Sequence, residues 1–141
     1  MTPARFLVDT SAVVRLLRDR DVRARWQPQV TAGVMGICPI TELELLHSAR
    51  SKADREEWLE LFDATFAWIA MPERVFSRAT EVQAAMTARG THRSASAADL
   101  LLAATAELSS LTLVHYDHDF DEVTKVTGQP TIWIAPPGSI T

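Results

Sequence analysis

Cysteine is almost absent from this 141-residue chain. The single Cys38 excludes an internal disulfide and fits a reducing cytoplasm. Set in the apolar run Val34 to Ile40, it reads as a small core residue rather than a nucleophile. No hydrophobic run approaches the length of a membrane span. Too few apolar residues precede Asp9 for a secretory signal peptide, so none is expected. Repeats and low-complexity tracts are also missing. So is zinc-ligand spacing, since His47, His92, His115 and His118 form no tight pattern with Cys38. Positive charge is in deficit: 14 basic against 18 acidic side chains leave a net charge of −4. That balance excludes a generally basic nucleic-acid binder and leaves local patches as the only electrostatic handle.

What remains is an ordinary globular composition, 47% hydrophobic and 23% charged, long enough to bury a core as one domain over residues 1–141. Short apolar runs at 6–8, 34–38, 66–71, 111–114 and 131–135 read as strands. Helical patterns separate them: SAVVRLLRDRDVRARW, PITELELLHSAR, residues 53–65, residues 75–90 and residues 96–109. This alternation predicts an α/β fold, a three-layer α/β/α sandwich around a short, mainly parallel central sheet. In such sheets, ligands bind beyond the carboxyl ends of the strands.

Acidic residues concentrate at those ends. Asp9 follows the first strand. Asp117, Asp119 and Asp121 follow the strand at 111–114. Glu42 and Glu44 begin the helix after the second strand, and Asp99 lies in the first turn of an Ala/Leu-rich helix. Singly, each has a structural explanation. Asp9 serves as a helix cap, Ser96-x-x-Asp99 as a capping box, Glu42 and Glu44 as partners of a helix dipole, and the three aspartates as a solvated turn. Together they form carboxylates gathered from four segments, which are unstable without a counter-cation. Oxygen-only ligands of this kind suit Mg²⁺ or Mn²⁺. Such ions on carboxylates serve phosphodiester hydrolysis. Neither competing phosphoryl-transfer pattern matches. Asp9-Thr10-Ser11 lacks the second aspartate of a haloacid-dehalogenase-type phosphatase. The middle strand runs into Cys38-Pro39, where a receiver domain needs an aspartate.

FLVDTSAVVRLL, ICPITELELL, SASAADLLLAATA and LVHYDHDF stand in an order that resembles the PIN-domain nucleases, and within them the VapC toxins of bacterial toxin–antitoxin pairs. The resemblance implies a metal-dependent endoribonuclease using Mg²⁺ or Mn²⁺. Its acidic quartet would be Asp9, Glu44, Asp99 and Asp117, with Asp119 an additional ligand beside Asp9, Asp99 and Asp117. Thr10 and Ser11 match the polar pair after the first acid, and Ser11 would orient a carboxylate or a metal-bound water. Glu42 competes with Glu44. Two residues apart on a helix, they point roughly 160° away from each other, so one of them faces the site. Asp121 falls outside the motif and is expected at the surface.

Two positions depart from the family pattern. His115 stands where Thr or Ser is common, which removes the expected hydroxyl beside the fourth acid. Cys38 stands where Ser is common. Five arginines between Arg15 and Arg25, together with Arg93, would supply backbone contacts to an RNA substrate; a solvated helix face is the plain alternative. The resemblance further implies a homodimer and a VapB-type antitoxin seated in a groove near the acids. The apolar residues of helices 39–50 and 53–65 would form part of that groove, with core packing as the simpler alternative. The alternative outside enzymology is a protein-interaction module whose acids are only caps.

Overall fold

The structure is a computed structural model describing residues 3–140. In chain order the elements are β1 (Phe6–Val8), α1 (Thr10–Arg18), α2 (Arg20–Ala32), β2 (Met35–Ile37), α3 (Pro39–Leu46), α4 (Lys52–Thr65), β3 (Ala67–Trp68), α5 (Val75–Ala88), α6 (Ala97–Leu108), β4 (Thr112–His115), α7 (Asp119–Thr127) and β5 (Thr131–Trp133). The strands form one sheet in the order β3-β2-β1-β4-β5, and every pairing is parallel. Parallel strands cannot be joined by hairpins, so helices cross over and cover both faces. The apolar triplets of β1 and β2 follow from that burial.

Two cores flank the sheet. Leu7 and Leu113 face one, against Val75, Met86, Leu102 and Phe120 of α5, α6 and α7. Val8, Val114 and Ile37 face the other, against Val13, Leu16, Trp26 and Phe62 of α1, α2 and α4. Adjacent residues of one strand thus feed opposite layers, as strand pleating requires. At about 25 cal/mol per Å² of apolar area, side chains such as these contribute roughly 1.5–3 kcal/mol each. The result is the expected three-layer sandwich.

The chain runs outward from β1 through β2 to β3, then returns to the other side of β1 for β4 and β5. The strand order therefore reverses between β1 and β4. The crevice beyond their carboxyl ends is the topological switch point, where open α/β sheets bind ligands. Asp9 and Asp117 emerge there. A backbone hydrogen bond of 3.0 Å from Asp9 N–H to the Val114 carbonyl holds the two strand ends together.

The helical segment expected over 11–26 is two helices. Asp19 ends α1, its N–H donating to the Arg15 carbonyl, and caps α2 by accepting from Val22 N–H. The second helix runs on past Pro28 to Gly33, which takes the left-handed φ of 72° that a non-glycine residue resists. The third strand shrinks to Ala67–Trp68. Asp119 to Thr127 forms a helix where the aspartates alone suggested a turn; its first turn holds Asp119, Asp121 and Glu122, which complement the helix dipole. Cys38 is fully buried as a core residue. No helix among the described residues is long and apolar enough to cross a membrane.

Candidate active site

Asp9 is the first residue after β1 and is only 5% exposed. It caps α1 by accepting from Ala12 N–H at 2.9 Å. Ser11 Oγ shares its proton between the two Asp9 carboxylate oxygens, at 2.7 and 2.9 Å, and accepts Tyr116 N–H at 2.9 Å. One serine therefore ties the acid after β1 to the end of β4. Even with these hydrogen bonds, burial pushes the Asp9 carboxyl up to about 6, and the charge of Asp99 adds to the effect. No ion pair with Asp9, Glu44, Asp99, Asp117 or Asp119 occurs among the described residues.

Asp99 lies in the first turn of α6. Its carboxylate accepts Ser96 N–H at 3.0 Å while Ser96 Oγ accepts Asp99 N–H at 3.1 Å, a complete capping box. Capping and proximity to Asp9 are compatible, because the first turn of α6 opens toward the same crevice. Asp117 follows β4 and accepts Asp119 N–H at 2.9 Å. Burial, then the charges of Asp117 and Asp99, raise the Asp119 carboxyl above its ordinary range. These mutual effects gather Asp9, Asp99, Asp117 and Asp119 into one field.

Glu44 joins through a different contact. Thr10 Oγ1 donates to Glu44 Oε1 at 2.7 Å, which ties α3 to the start of α1. The structure therefore brings Glu44 beside the residue that follows Asp9, and Glu42 makes no comparable side-chain bond. Among the described residues no three His, Cys, Asp or Glu side chains already converge closely enough to cage an ion. The donor set nonetheless has the chemistry of a hard divalent cation site: oxygen ligands, one of them buried, mutually repelling and without a protein cation.

His115, the departure at the end of β4, is fully buried. Its Nδ1 accepts Asp117 N–H at 3.1 Å, which assigns the proton to Nε2. Desolvation lowers its pKa and so disfavours the charged ring, against the opposing charges of Asp121 and Asp117. The histidine thus braces the backbone of Asp117 and makes no bond to its carboxylate. Nε2 has no hydrogen-bond partner.

Arg15 is half-buried; Nη1 donates to the Ser11 carbonyl at 3.1 Å and the guanidinium stacks 4.8 Å from the Tyr116 ring centroid. It therefore stands one residue contact from Asp9. Arg93 is exposed in the loop before α6 and forms no ion pair among the described residues. Asp121, expected to be an idle surface acid, accepts from Trp133 Nε1 at 3.3 Å and lies 3.2 Å from His118 Nδ1. Sequence reasoning passed over Tyr116 and Trp133. No local signal marks them: it is the β4–β5 register that pairs Trp133 with His115 and puts an aromatic at the carboxyl end of β5.

An α/β domain with carboxylates gathered at the switch point of a parallel sheet is the architecture that defines the class. Residues 6–126 match the family model described as the PIN domain. The chain is 42% identical over 137 residues to Ribonuclease VapC18 of Mycobacterium tuberculosis strain ATCC 25618 / H37Rv, covering 96% of this chain and 98% of that protein. It is 37% identical over 135 residues to Ribonuclease VapC21 of strain CDC 1551 / Oshkosh, covering 96% and 97%. Among solved structures, VapBC2 from Rickettsia felis bound to a promoter DNA fragment superposes with a TM-score of 0.76 at 15% identity, covering 94% of this chain and 98% of that one. The chain belongs to the PIN-domain family, and within it to the VapC proteins.

Proposed function

We propose that this chain is a metal-dependent endoribonuclease, the toxin of a pair with a VapB-type antitoxin, folded as one PIN domain. The observation that carries the reading is Asp9: a buried carboxylate at the switch point, in the field of Asp99, with no ion pair among the described residues. The names of the relatives, which are ribonucleases, support the reaction class.

Asp9, Asp99, Asp117 and Asp119 would hold Mg²⁺ or Mn²⁺. When bound, such an ion lowers the pKa of water and offsets charge on phosphate oxygens. The chain's own residues do the rest. Ser11 fixes the rotamer of Asp9 and anchors the β4 end. Thr10 holds Glu44 where it can accept a proton from an attacking water or orient it. Arg15 offers its guanidinium to a backbone phosphate, and Arg93 extends the contact outward.

On the helices expected to form the antitoxin groove, Leu43 of α3 and Leu61 of α4 are exposed apolar side chains, 64% and 41% accessible. Leu61 also lines a groove between α1, α2 and α4 with Leu16, Leu17 and Val30, beside Arg23, Gln27 and Thr65. VapBC from Salmonella typhimurium and VapBC2 from Rickettsia felis are toxin–antitoxin complexes of the same fold, which supports a VapB-type partner here. The homodimer and the cytoplasmic location are part of the proposal and rest on the family resemblance alone.

One observation favours the interaction-module reading: Asp9 and Asp99 both act as helix caps. Capping, however, calls for neither the burial of Asp9 nor the bond from Thr10 to Glu44. The deciding experiment is cleavage of a mixed RNA pool by purified protein with Mg²⁺ or Mn²⁺ and with EDTA, beside Asp9→Asn and Asp99→Asn. Metal-dependent cleavage lost in both variants is the expected result. Equal cleavage by the variants, or no metal binding and no cleavage by the wild type, returns the acids to a structural role.

A further inference from the structure

Beside the acids lies a cluster that the proposed chemistry does not use. Trp133 ends β5 and is half-buried, with its ring centroid 4.9 Å from His115, 5.5 Å from Tyr116 and 4.8 Å from His118. His118 sits between Asp117 and Asp119 in the chain, and its side chain is 78% exposed. Asp121 fixes both rings, accepting the indole N–H with Oδ1 and facing His118 Nδ1 with Oδ2. The arrangement is tied to Asp121 on the protein side and open on the other.

We propose that the exposed ring of His118, backed by Trp133 at 65° between ring planes, is a platform on which a nucleobase of single-stranded RNA stacks, beside the phosphate that the acidic residues address. The proposal rests on the ribonuclease reading and deepens it by naming a contact that selects substrate. Four features point to a base. The surface is aromatic, and single-stranded nucleic acid is held by stacking on aromatic side chains. It adjoins Asp117 and Asp119, whose charge repels a phosphate placed directly on the platform but leaves a neutral base unaffected. The rings are held by Asp121, so stacking orders little that is not already ordered. Lastly, the exposed part of Asp121 offers an acceptor to an exocyclic amine, and with Nδ1 held, His118 Nε2 is left for a group that lies beside the stacked base in the plane of the imidazole ring. The apolar grooves that suit a peptide lie elsewhere, between α5 and α6 and between α1, α2 and α4.

The test uses the full chain, His118→Ala and Trp133→Phe, with a panel of short single-stranded RNA oligonucleotides differing in base composition. Cleavage is followed in Mg²⁺ or Mn²⁺. Binding is followed in Ca²⁺ by anisotropy and by quenching of tryptophan fluorescence. His118 is exposed, so its alanine variant tests the platform without loss of core packing. The expected result is a Kd or KM about 5- to 100-fold higher for His118→Ala, with the preference among oligonucleotides flattened. Metal affinity should be unchanged, and the wild-type quench should be lost in Trp133→Phe. Wild-type cleavage with unchanged KM and unchanged preference in both variants overturns the platform and leaves the nuclease reading standing. Oligonucleotide binding that depends on His118 and Trp133, without cleavage by the wild type, sustains the platform and overturns the nuclease reading. Variants that cut RNA normally but lose a co-purifying protein partner mark the surface as a protein interface, and the proposal falls. Absence of both binding and cleavage overturns both.

Discussion

Replacing Asp9 with Asn should make the metal-free protein more stable while removing its metal response. Asp9 is buried, and its carboxyl rises from 3.8 to about 6. Between those values the folded protein holds a proton that the unfolded chain has lost, so stability falls as pH rises through the window. Above about 6 the loss is complete, and it amounts to about 3 kcal/mol against the charged fold. Asparagine removes the charge. It keeps an oxygen for Ala12 N–H but bonds less strongly to Ser11, a loss of about 1 kcal/mol. A net gain of about 2 kcal/mol at pH 8 corresponds to a Tm increase of roughly 4–8 °C for a chain of this size. The assay is thermal unfolding in EDTA at pH 8 and pH 4.5, wild type beside Asp9→Asn. The gap should close or reverse at pH 4.5, where the wild-type carboxyl is itself protonated. Added Mg²⁺ or Mn²⁺ at pH 8 should raise the Tm of the wild type and leave the variant unmoved. A variant less stable than the wild type at pH 8, or a gap independent of pH, would refute the claim that Asp9 is a desolvated charge awaiting a cation.

Three further outcomes follow from particular contacts. Thr10→Val removes the 2.7 Å bond to Glu44 at a partly exposed position, so stability should change by less than about 1 kcal/mol. Cleavage should fall about 10- to 100-fold, because the glutamate is no longer held; denaturant melts beside kinetics separate the two effects. Arg78 Nε and Nη2 bind the two oxygens of Glu107 at 2.6 and 3.0 Å, joining α5 to α6 with both side chains less than a third exposed. Arg78→Ala should cost about 1–3 kcal/mol, read as a lower urea midpoint. At Gly36 of β2 an added Cβ would meet Ile69 Cγ1 at 2.5 Å and Cδ1 at 2.7 Å, so Gly36→Ala should destabilise by about 1–3 kcal/mol unless Ile69 finds another rotamer.

Much of the architecture is legible in the chain because it is set locally. Short apolar strands alternating with amphipathic helices favour a mainly parallel sheet covered on both faces. Strand ends can be read off too, so the residue pattern alone identifies Asp9 and Asp117 as edge residues. The helix at 119–127 was hidden because its charged first turn resembles a solvated turn. Breakage of the 11–26 segment turned on one residue, since Asp19 serves α1 and α2 at once.

Local pattern was enough for the positions of the charges, the ends of β1 and β4, and the acidic starts of α3 and α6, though not for the end of β3 or the start of α7. Periodicity and composition act within a few residues, so they fix these features and no more. Tertiary structure decided which of the acids meet. Only the strand order puts Asp9 beside the β4 end, only the docking of α3 gives Glu44 to Thr10, and only the β4–β5 register sets Trp133 against His115 and His118. Those contacts join residues up to 105 positions apart, as Ser11 and Tyr116 are, and no local rule reaches that far.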